Sequence, residues 1–303
     1  MREIWQELGW YFRETDKRNL ALSALVTGVL VGLNYAYNLD QRIGLLPLSA
    51  QYACWYLLFL FAFSVPYILM LPLQHKNLFS NNRFLLLLLL APVLFAWKMA
   101  APVAFEFSSV GVVNNYWNRV VYFPAKLLVI TAGLFFIWRS FDRDQPFYGT
   151  SLARFRPRPY LIMLAIMVPL IAAAATQPDF LYMYPKLKSV QNFLNQHPSA
   201  FYTLLFELSY GIDFVGIELF FRGFLVLAFI KWAGKDAILP MACFYCTIHF
   251  GKPLAECISS FFGGLILGVV TYHTRTILGG LMVHLGIAWL MELGGYLGNK
   301  FLQ

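Results

Sequence analysis

The run FLLLLLLAPVLFAWKMAAPVAF, residues 84–105, decides the fold class of this chain. Its only charged side chain is Lys98, and it has the length of about 20 apolar residues that a membrane-spanning helix needs. The whole chain has the same character, since 59% of its 303 residues are hydrophobic and only 13% are charged. A soluble domain carries about 25% charged residues. The sequence therefore predicts an all-α integral membrane protein, a multi-pass helical bundle.

Similar apolar runs recur along the chain and predict about eight or nine transmembrane helices. The seventh run is short and is predicted to be re-entrant or half-buried. The candidate spans are 20–38, 52–73, 84–105, 120–138, 159–176, 201–230, 236–250, 256–272 and 276–298.

The distribution of the 23 Lys and Arg residues predicts the orientation. Most of them fall in alternate loops on the side of the N-terminus, above all in RFRPRP at 154–159. By the positive-inside rule the N-terminus is cytoplasmic and the C-terminus is outside. The net charge of +8 then indicates contact with anionic lipid headgroups of the bilayer, and no nucleic-acid partner is expected.

Three regions are predicted: an amphipathic interfacial segment at 1–19, N-terminal transmembrane helices at 20–176 and a C-terminal core at 200–298. In the first region, Ile4, Trp5, Leu8, Tyr11 and Phe12 recur at helical spacing. A helix on the membrane surface or a short helix packed on the first loop both fit this pattern.

The four cysteines do not predict a disulfide framework. Cys243 and Cys246 form a C-x-x-C, but in an apolar helical stretch where buried small residues are the expectation. A nucleophilic role for Cys246 is disfavoured for the same reason, because little there lowers the pKa of a thiol.

Charged residues at membrane depth are rare and usually functional. The stretch GIELFFRGFLV, residues 216–226, carries Glu218 and Arg222 four residues apart. Such a pair has two interpretations. The two charges neutralise each other and the ion pair only determines how the helices pack, or the pair faces a polar cavity. His249 and His284 favour the cavity, because at about 1.5 Å per residue they lie at a similar depth to Glu218, roughly 12 to 20 Å from the cytoplasmic end of their helices.

A carboxylate and two imidazoles support two kinds of chemistry. They activate a water and stabilise an oxyanion, or they bind a divalent metal such as zinc through Glu218, His249 and His284. The zinc-protease motif H-E-x-x-H is absent from the sequence.

The order of these motifs resembles the CAAX protease and bacteriocin-processing (CPBP) family, which includes the type II CAAX prenyl endopeptidases. The family motifs E-E-x-x-x-R, F-x-x-x-H and H-x-x-x-N correspond to residues 217–222, 245–249 and 284–288. The resemblance covers about residues 200–298. It implies an intramembrane protease in a bacterial cell membrane, and it implies catalytic roles for Glu218, Arg222, His249 and His284.

Three positions differ from the family motifs. Ile217 stands where the family has the water-activating glutamate, Ala288 stands where it has an asparagine that helps to hold the oxyanion, and Tyr245 replaces phenylalanine. If the chain cleaves peptides, Glu218 is the predicted base. Glu292 is the predicted auxiliary carboxylate.

Three functions follow from these observations. The first is an intramembrane endopeptidase that hydrolyses membrane-associated or prenylated peptides with a glutamate-activated water and no required cofactor. The second is a catalytically inactive relative that acts as a membrane scaffold or immunity-type protein, which the residues at 217 and 288 favour. The third is a proton- or ion-coupled transporter, against which the absence of an internal sequence repeat counts.

Overall fold

The computed structural model describes residues 2–70, 78–152 and 155–302 of the chain. All regular secondary structure in these ranges is helical, which confirms the all-α prediction. Residues 71–73 of the second predicted span, and Lys76 and Arg154 of the charge pattern, lie outside the described residues.

The described ranges hold fourteen α-helices, numbered here in chain order. They are α1 Arg2–Glu14, α2 Lys17–Tyr37, α3 Leu39–Gly44, α4 Leu48–Met70, α5 Asn82–Ala100, α6 Gly111–Phe141, α7 Pro157–Ala174, α8 Pro178–Met183, α9 Gln191–Gln196, α10 Ala200–Glu218, α11 Ile230–Ala233, α12 Ile238–Thr247, α13 Leu254–Thr274 and α14 Leu278–Phe301. Four short 3₁₀ segments and one π-helix, Leu219–Ala228, complete the secondary structure of these ranges.

Seven of the described helices are long and apolar enough to cross a membrane: α2, α4, α5, α6, α7, α13 and α14. The chain is thus an all-α multi-pass membrane protein. The predicted span 201–230 is instead divided into α10, the π-helix and α11, and α10 itself carries Glu207, Asp213 and Glu218.

The predicted span 236–250 is the ten-residue helix α12, too short to cross a bilayer alone. Two residues shape the turn that follows it. Gly251 has a φ of +80°, which interrupts a right-handed helix, and Pro253 precedes the next helix.

The chain divides into two compact units that alternate along the sequence. Unit 1 comprises Met1–Ala101, Gly133–Phe155 and Leu219–Leu278. Unit 2 comprises Pro102–Ala132, Arg156–Glu218 and Gly279–Gln303. Each unit takes segments from both the predicted N-terminal helices and the predicted C-terminal core, whose boundary stays a prediction.

Aromatic rings form the centre of unit 1. Phe244 of α12 lies 4.8 Å from Phe59 of α4, and Phe63 of α4 lies 5.2 Å from Phe229. Ring pairs at these distances add about 0.5–1.5 kcal/mol each to the free energy of burial. They hold α4 and α12 beside the π-helix.

A hydrophobic cluster forms the core of unit 2. It joins the first half of α6 to α9, α10 and α14. Its buried members are Tyr116, Val120, Val190, Phe193, Leu194, Phe206, Tyr210, Phe214 and Ala288.

Helix α1 packs on α13 within unit 1. Ile4, Leu8 and Tyr11 are buried along one face, and Trp10 lies 6.0 Å from Tyr272 of α13. Trp5 on the opposite face is 63% exposed. The helix is therefore amphipathic and packed on the protein, while its place at the membrane surface stays a prediction.

Glu7 makes this packing sensitive to pH. Burial and the charge of Glu3 raise the pKa of Glu7 from 4.5 to about 7. Because the folded pKa exceeds the unfolded value, the packed helix binds more protons between these two values, and its stability falls as pH rises through that window. We expect amide hydrogen exchange of residues 4–12, corrected for the intrinsic rate, to increase between pH 5 and 8.

Glu7→Gln should remove this pH dependence, and Glu14→Gln, at an exposed position of the same helix, should leave it unchanged. An equal pH dependence in wild type and Glu7→Gln would contradict the assignment.

Candidate active site

Glu218 is the last residue of α10 and has no solvent-exposed surface. Its Oε1 lies 2.8 Å from Nδ1 of His284, in α14. Both residues belong to unit 2. A buried carboxylate is stable only when it is hydrogen-bonded or paired, and His284 meets this need.

This hydrogen bond determines where the proton of the imidazole lies. If Glu218 is ionised it only accepts hydrogen bonds, and Nδ1 of His284 then carries the hydrogen. In the neutral ring the lone pair is then on Nε2, which is the nitrogen that takes up a proton or binds a metal. The pair is thus an imidazole whose ring orientation is set by a carboxylate.

Phe214 holds the ring of His284 from a second direction. The two rings are 4.7 Å apart and meet edge to face, at 70°. Phe214 lies four residues before Glu218 and so on the same face of α10. The sequence analysis missed this residue, although its i, i+4 spacing from Glu218 was a usable signal.

The two residues that replace polar family positions lie in one apolar environment. Ala288 is a buried member of the unit 2 cluster, and Ile217 packs against the same cluster. Glutamate and asparagine at these positions would each need a partner there. The replacements therefore make the cluster beside Glu218 and His284 continuous and apolar.

Arg222 lies in the π-helix of unit 1 and is fully buried. Its guanidinium carbon is 4.1 Å from the centre of the Tyr245 ring in α12. A cation on an aromatic face is worth about 2 kcal/mol when both groups are desolvated. Single-turn π-bulges occur often at functional sites, and here a longer π segment carries the charged residue.

The glycine after Arg222 permits a close backbone contact. A Cβ at Gly223 would lie 2.7 Å from the carbonyl oxygen of Tyr148, so only glycine fits without a shift. Tyr148 in turn donates a hydrogen bond to Asp142 at 2.8 Å. The close approach of Gly223 to Tyr148 sets the position of the π-helix, and so of Arg222, within unit 1.

His249 lies in the turn after α12, not inside a helix as the sequence predicted. Its Nδ1 is 3.0 Å from the carbonyl oxygen of Tyr245, and its ring lies 4.7 Å from the Tyr245 ring. Since a carbonyl only accepts, Nδ1 carries the hydrogen in His249 too. Tyr245 thus contacts both Arg222 and His249, which explains why an aromatic residue is needed there.

Glu292 has contacts that favour a structural role. Its carboxylate accepts hydrogen bonds from the backbone amides of Lys186 and Leu187, at 2.8 and 3.3 Å. These amides begin the 3₁₀ segment Lys186–Val190, and a carboxylate there satisfies its first donors. Glu292 as an auxiliary carboxylate stays a prediction.

The structure thus forms two groups of the predicted residues: Glu218 with His284 in unit 2, and Arg222 with Tyr245 and His249 in unit 1. Convergence of the two groups on one water stays a prediction. Within the part of the chain that the structure describes, no three His, Cys, Asp or Glu side chains form a metal-binding set. The need for a metal is therefore also still to be tested.

Comparison with protein-family models identifies the C-terminal part of the chain. Residues 195–290 match the family model of Rce1-like type II CAAX prenyl endopeptidases. The Rce1-like match includes all four predicted catalytic residues and ends before Glu292. It confirms the resemblance seen in the motifs. Searches of curated proteins and of solved structures each found no match.

The Rce1-like match and the apolar helices agree on two points. An Rce1-like domain supports a protease-like function at the level of the family. Together with seven candidate membrane-crossing helices it also supports an integral membrane protein.

The ring of Tyr245 is expected to stabilise the buried charge of Arg222. Tyr245→Leu removes the aromatic face and should lower the free energy of unfolding by about 2 kcal/mol or more. The matched variant Tyr245→Phe keeps the ring and should lose at least 1 kcal/mol less. Unfolding in detergent, followed by circular dichroism, measures both. Equal losses in the two variants would show that the ring face does not stabilise Arg222.

Proposed function

We propose that the chain is an intramembrane endopeptidase in which His284, held by Glu218, activates the water that cleaves the peptide. The observation that supports this most directly is the 2.8 Å hydrogen bond from His284 Nδ1 to Glu218 Oε1. The bond orients the proposed base, His284, and both residues of the pair lie within the Rce1-like match.

The proposed reaction uses the proton of one water. Nε2 of His284 takes this proton while the water oxygen attacks the peptide carbonyl carbon, and the carbonyl becomes an oxyanion. Glu218 stabilises the imidazolium that forms, as a carboxylate does for a catalytic histidine. The imidazolium then returns the proton to the leaving nitrogen as the C–N bond breaks.

This mechanism changes the role that the sequence predicted for Glu218. Glu218 is the base of the sequence prediction, but it is fully buried, and its Oε1 accepts the hydrogen bond of His284. Since a base must reach the water, the Nε2 atom of His284 suits that role better, and Glu218 becomes a positioning residue. His284 is also 13% exposed, while Glu218 has no exposure.

The substrate class follows from the family. Rce1-like enzymes act on prenylated peptides in membranes, and we propose membrane-associated or prenylated peptides as substrates here. Arg222 and His249 are proposed to stabilise the oxyanion. The proposed mechanism requires no cofactor. The alternative is a divalent metal such as zinc bound by Glu218, His249 and His284. Measuring peptide cleavage with and without a chelator distinguishes the two mechanisms.

A catalytically inactive relative is the second candidate function. The observation that favours it is the apolar cluster around Ile217 and Ala288, where the family has two polar groups. A chain of this kind keeps the Glu218–His284 pair for structure and binds membrane peptides without cleaving them.

Substitution of the pair separates the two functions. We expect His284→Ala and Glu218→Gln to lower kcat for a prenylated or membrane-inserted reporter peptide by about 10² to 10⁴, the usual contribution of an oriented base. His197→Ala is the control, because His197 is an exposed histidine outside the predicted site and its Nδ1 faces the backbone carbonyl of Phe193. Cleavage is measured by mass spectrometry of the products from purified, reconstituted protein.

Two results would contradict the endopeptidase. One is wild-type protein that binds a panel of such peptides and cleaves none of them. The other is cleavage that His284→Ala and Glu218→Gln reduce no more than His197→Ala does.

A double-mutant cycle tests whether His249 and His284 act at the same catalytic centre. If they do, the combined variant His249→Ala, His284→Ala should lose little more activity than the worse single variant, because residues that act as a unit are strongly non-additive. Independent sites would give losses that multiply. The measurement is kcat/KM of the four proteins on one substrate, and multiplicative losses would contradict the shared centre.

A further inference from the structure

A basic groove of about 720 Å³ lies within unit 1, and its described lining includes none of the candidate active-site residues. It lies beside the beginning of α5, the end of α6 and residues of α11. Among the described residues its lining is Ser80, Asn81, Asn82, Arg83, Arg139, Ser140, Phe141, Arg143, Asp144, Lys231 and Trp232.

The three arginines of the lining have no ion-pair partner among the described residues. The guanidinium groups of Arg83, Arg139 and Arg143 are on exposed residues and have no hydrogen-bond or ion-pair partner in the described ranges. The fourth cation, Lys231, is already paired with the buried carboxylate of Asp142. Asp144 is the one acidic residue of the described lining, so the groove keeps an excess of about two positive charges.

The beginning of α5 adds partial positive charge. Asn81 caps this helix, because its side-chain oxygen accepts hydrogen bonds from the amides of Arg83 and Phe84, both at 3.0 Å. A helix N-terminus favours anions. With the oxygen of Asn81 engaged, the side chains of Ser80, Asn82 and Ser140 offer further neutral donors beside the arginines.

The position of the groove favours a membrane lipid over a soluble anion. Helices α5 and α6 are both candidate membrane-crossing helices, so the groove lies at the ends of two spans, where headgroups are expected. Phe141 and Trp232 line it as well, and tryptophan is enriched at the membrane–water interface. All four cations are on the side that the charge distribution predicts to be cytoplasmic.

We propose that this groove binds the phosphate of an anionic phospholipid. Arg83, Arg139 and Arg143 bind the phosphate oxygens, and Trp232 and Phe141 contact the glycerol and the first acyl carbons. Basic pockets at the ends of membrane-crossing helices bind such headgroups. This proposal is independent of the peptidase function.

The test compares lipid retention by the purified full-length chain. Protein is equilibrated with mixed micelles of phosphatidylglycerol and phosphatidylcholine, and the lipids that stay bound are counted by native mass spectrometry. We expect a preference for phosphatidylglycerol that Arg139→Gln, Arg143→Gln lowers about tenfold or more. The matched control is Arg13→Gln, Arg18→Gln, with the same charge change at exposed positions of unit 1 outside the groove lining, and it should keep the preference.

A second variant changes the preference in the opposite direction. Asp144→Asn removes the one acidic side chain of the described lining and should strengthen the binding of phosphatidylglycerol, a gain that misfolding would not produce. Equal loss in the groove variant and its control would mean general charge attraction, and would overturn the proposal. Displacement of the bound lipid by millimolar glycerol phosphate would also overturn it, in favour of a soluble phosphate ligand.

Discussion

Glu218 has no contact with solvent, and the hydrogen bond from His284 supports its charge. A buried carboxylate without a donor would shift towards its neutral form and lose its use as a counter-ion. The packing of α10 against α14 in unit 2 supplies that donor, and Phe214 holds the ring in place. The proposed base, its tautomer and the proposed role of Glu218 all depend on this one interaction.

The burial of Glu218 also gives a physical reason for the residues at positions 217 and 288. Every polar group in a cluster next to a buried ion needs a hydrogen-bond partner. A cluster in which some groups lack a partner is less stable than an apolar cluster. Ile217 and Ala288 are in the apolar cluster of unit 2, so both polar groups of the family motif are replaced together. The chain keeps the Glu218–His284 pair and has no polar side chain at positions 217 and 288, so the proposed activity rests on this pair.

The sequence predicted the fold class better than it predicted the local geometry around the candidate site residues. Long apolar runs predicted seven of the observed helices, because hydropathy over about 20 residues depends little on tertiary context. The π-helix at Leu219–Ala228, the end of α12 before His249 and the partner of Glu292 were not predicted. The π-helix and the partner of Glu292 depend on contacts distant in sequence, such as Gly223 with Tyr148, which no local pattern records.

The tautomer of His284 shows whether Glu218 accepts a hydrogen bond from the imidazole. With all five histidines labelled with ¹⁵N, NMR of the reconstituted protein distinguishes the protonated from the unprotonated ring nitrogen, and the spectrum of His284→Gln assigns the signal. The account predicts a neutral His284 with its hydrogen on Nδ1 and a free lone pair on Nε2. A hydrogen on Nε2 with an unprotonated Nδ1 would contradict it, because Glu218 would then accept no hydrogen bond from the ring.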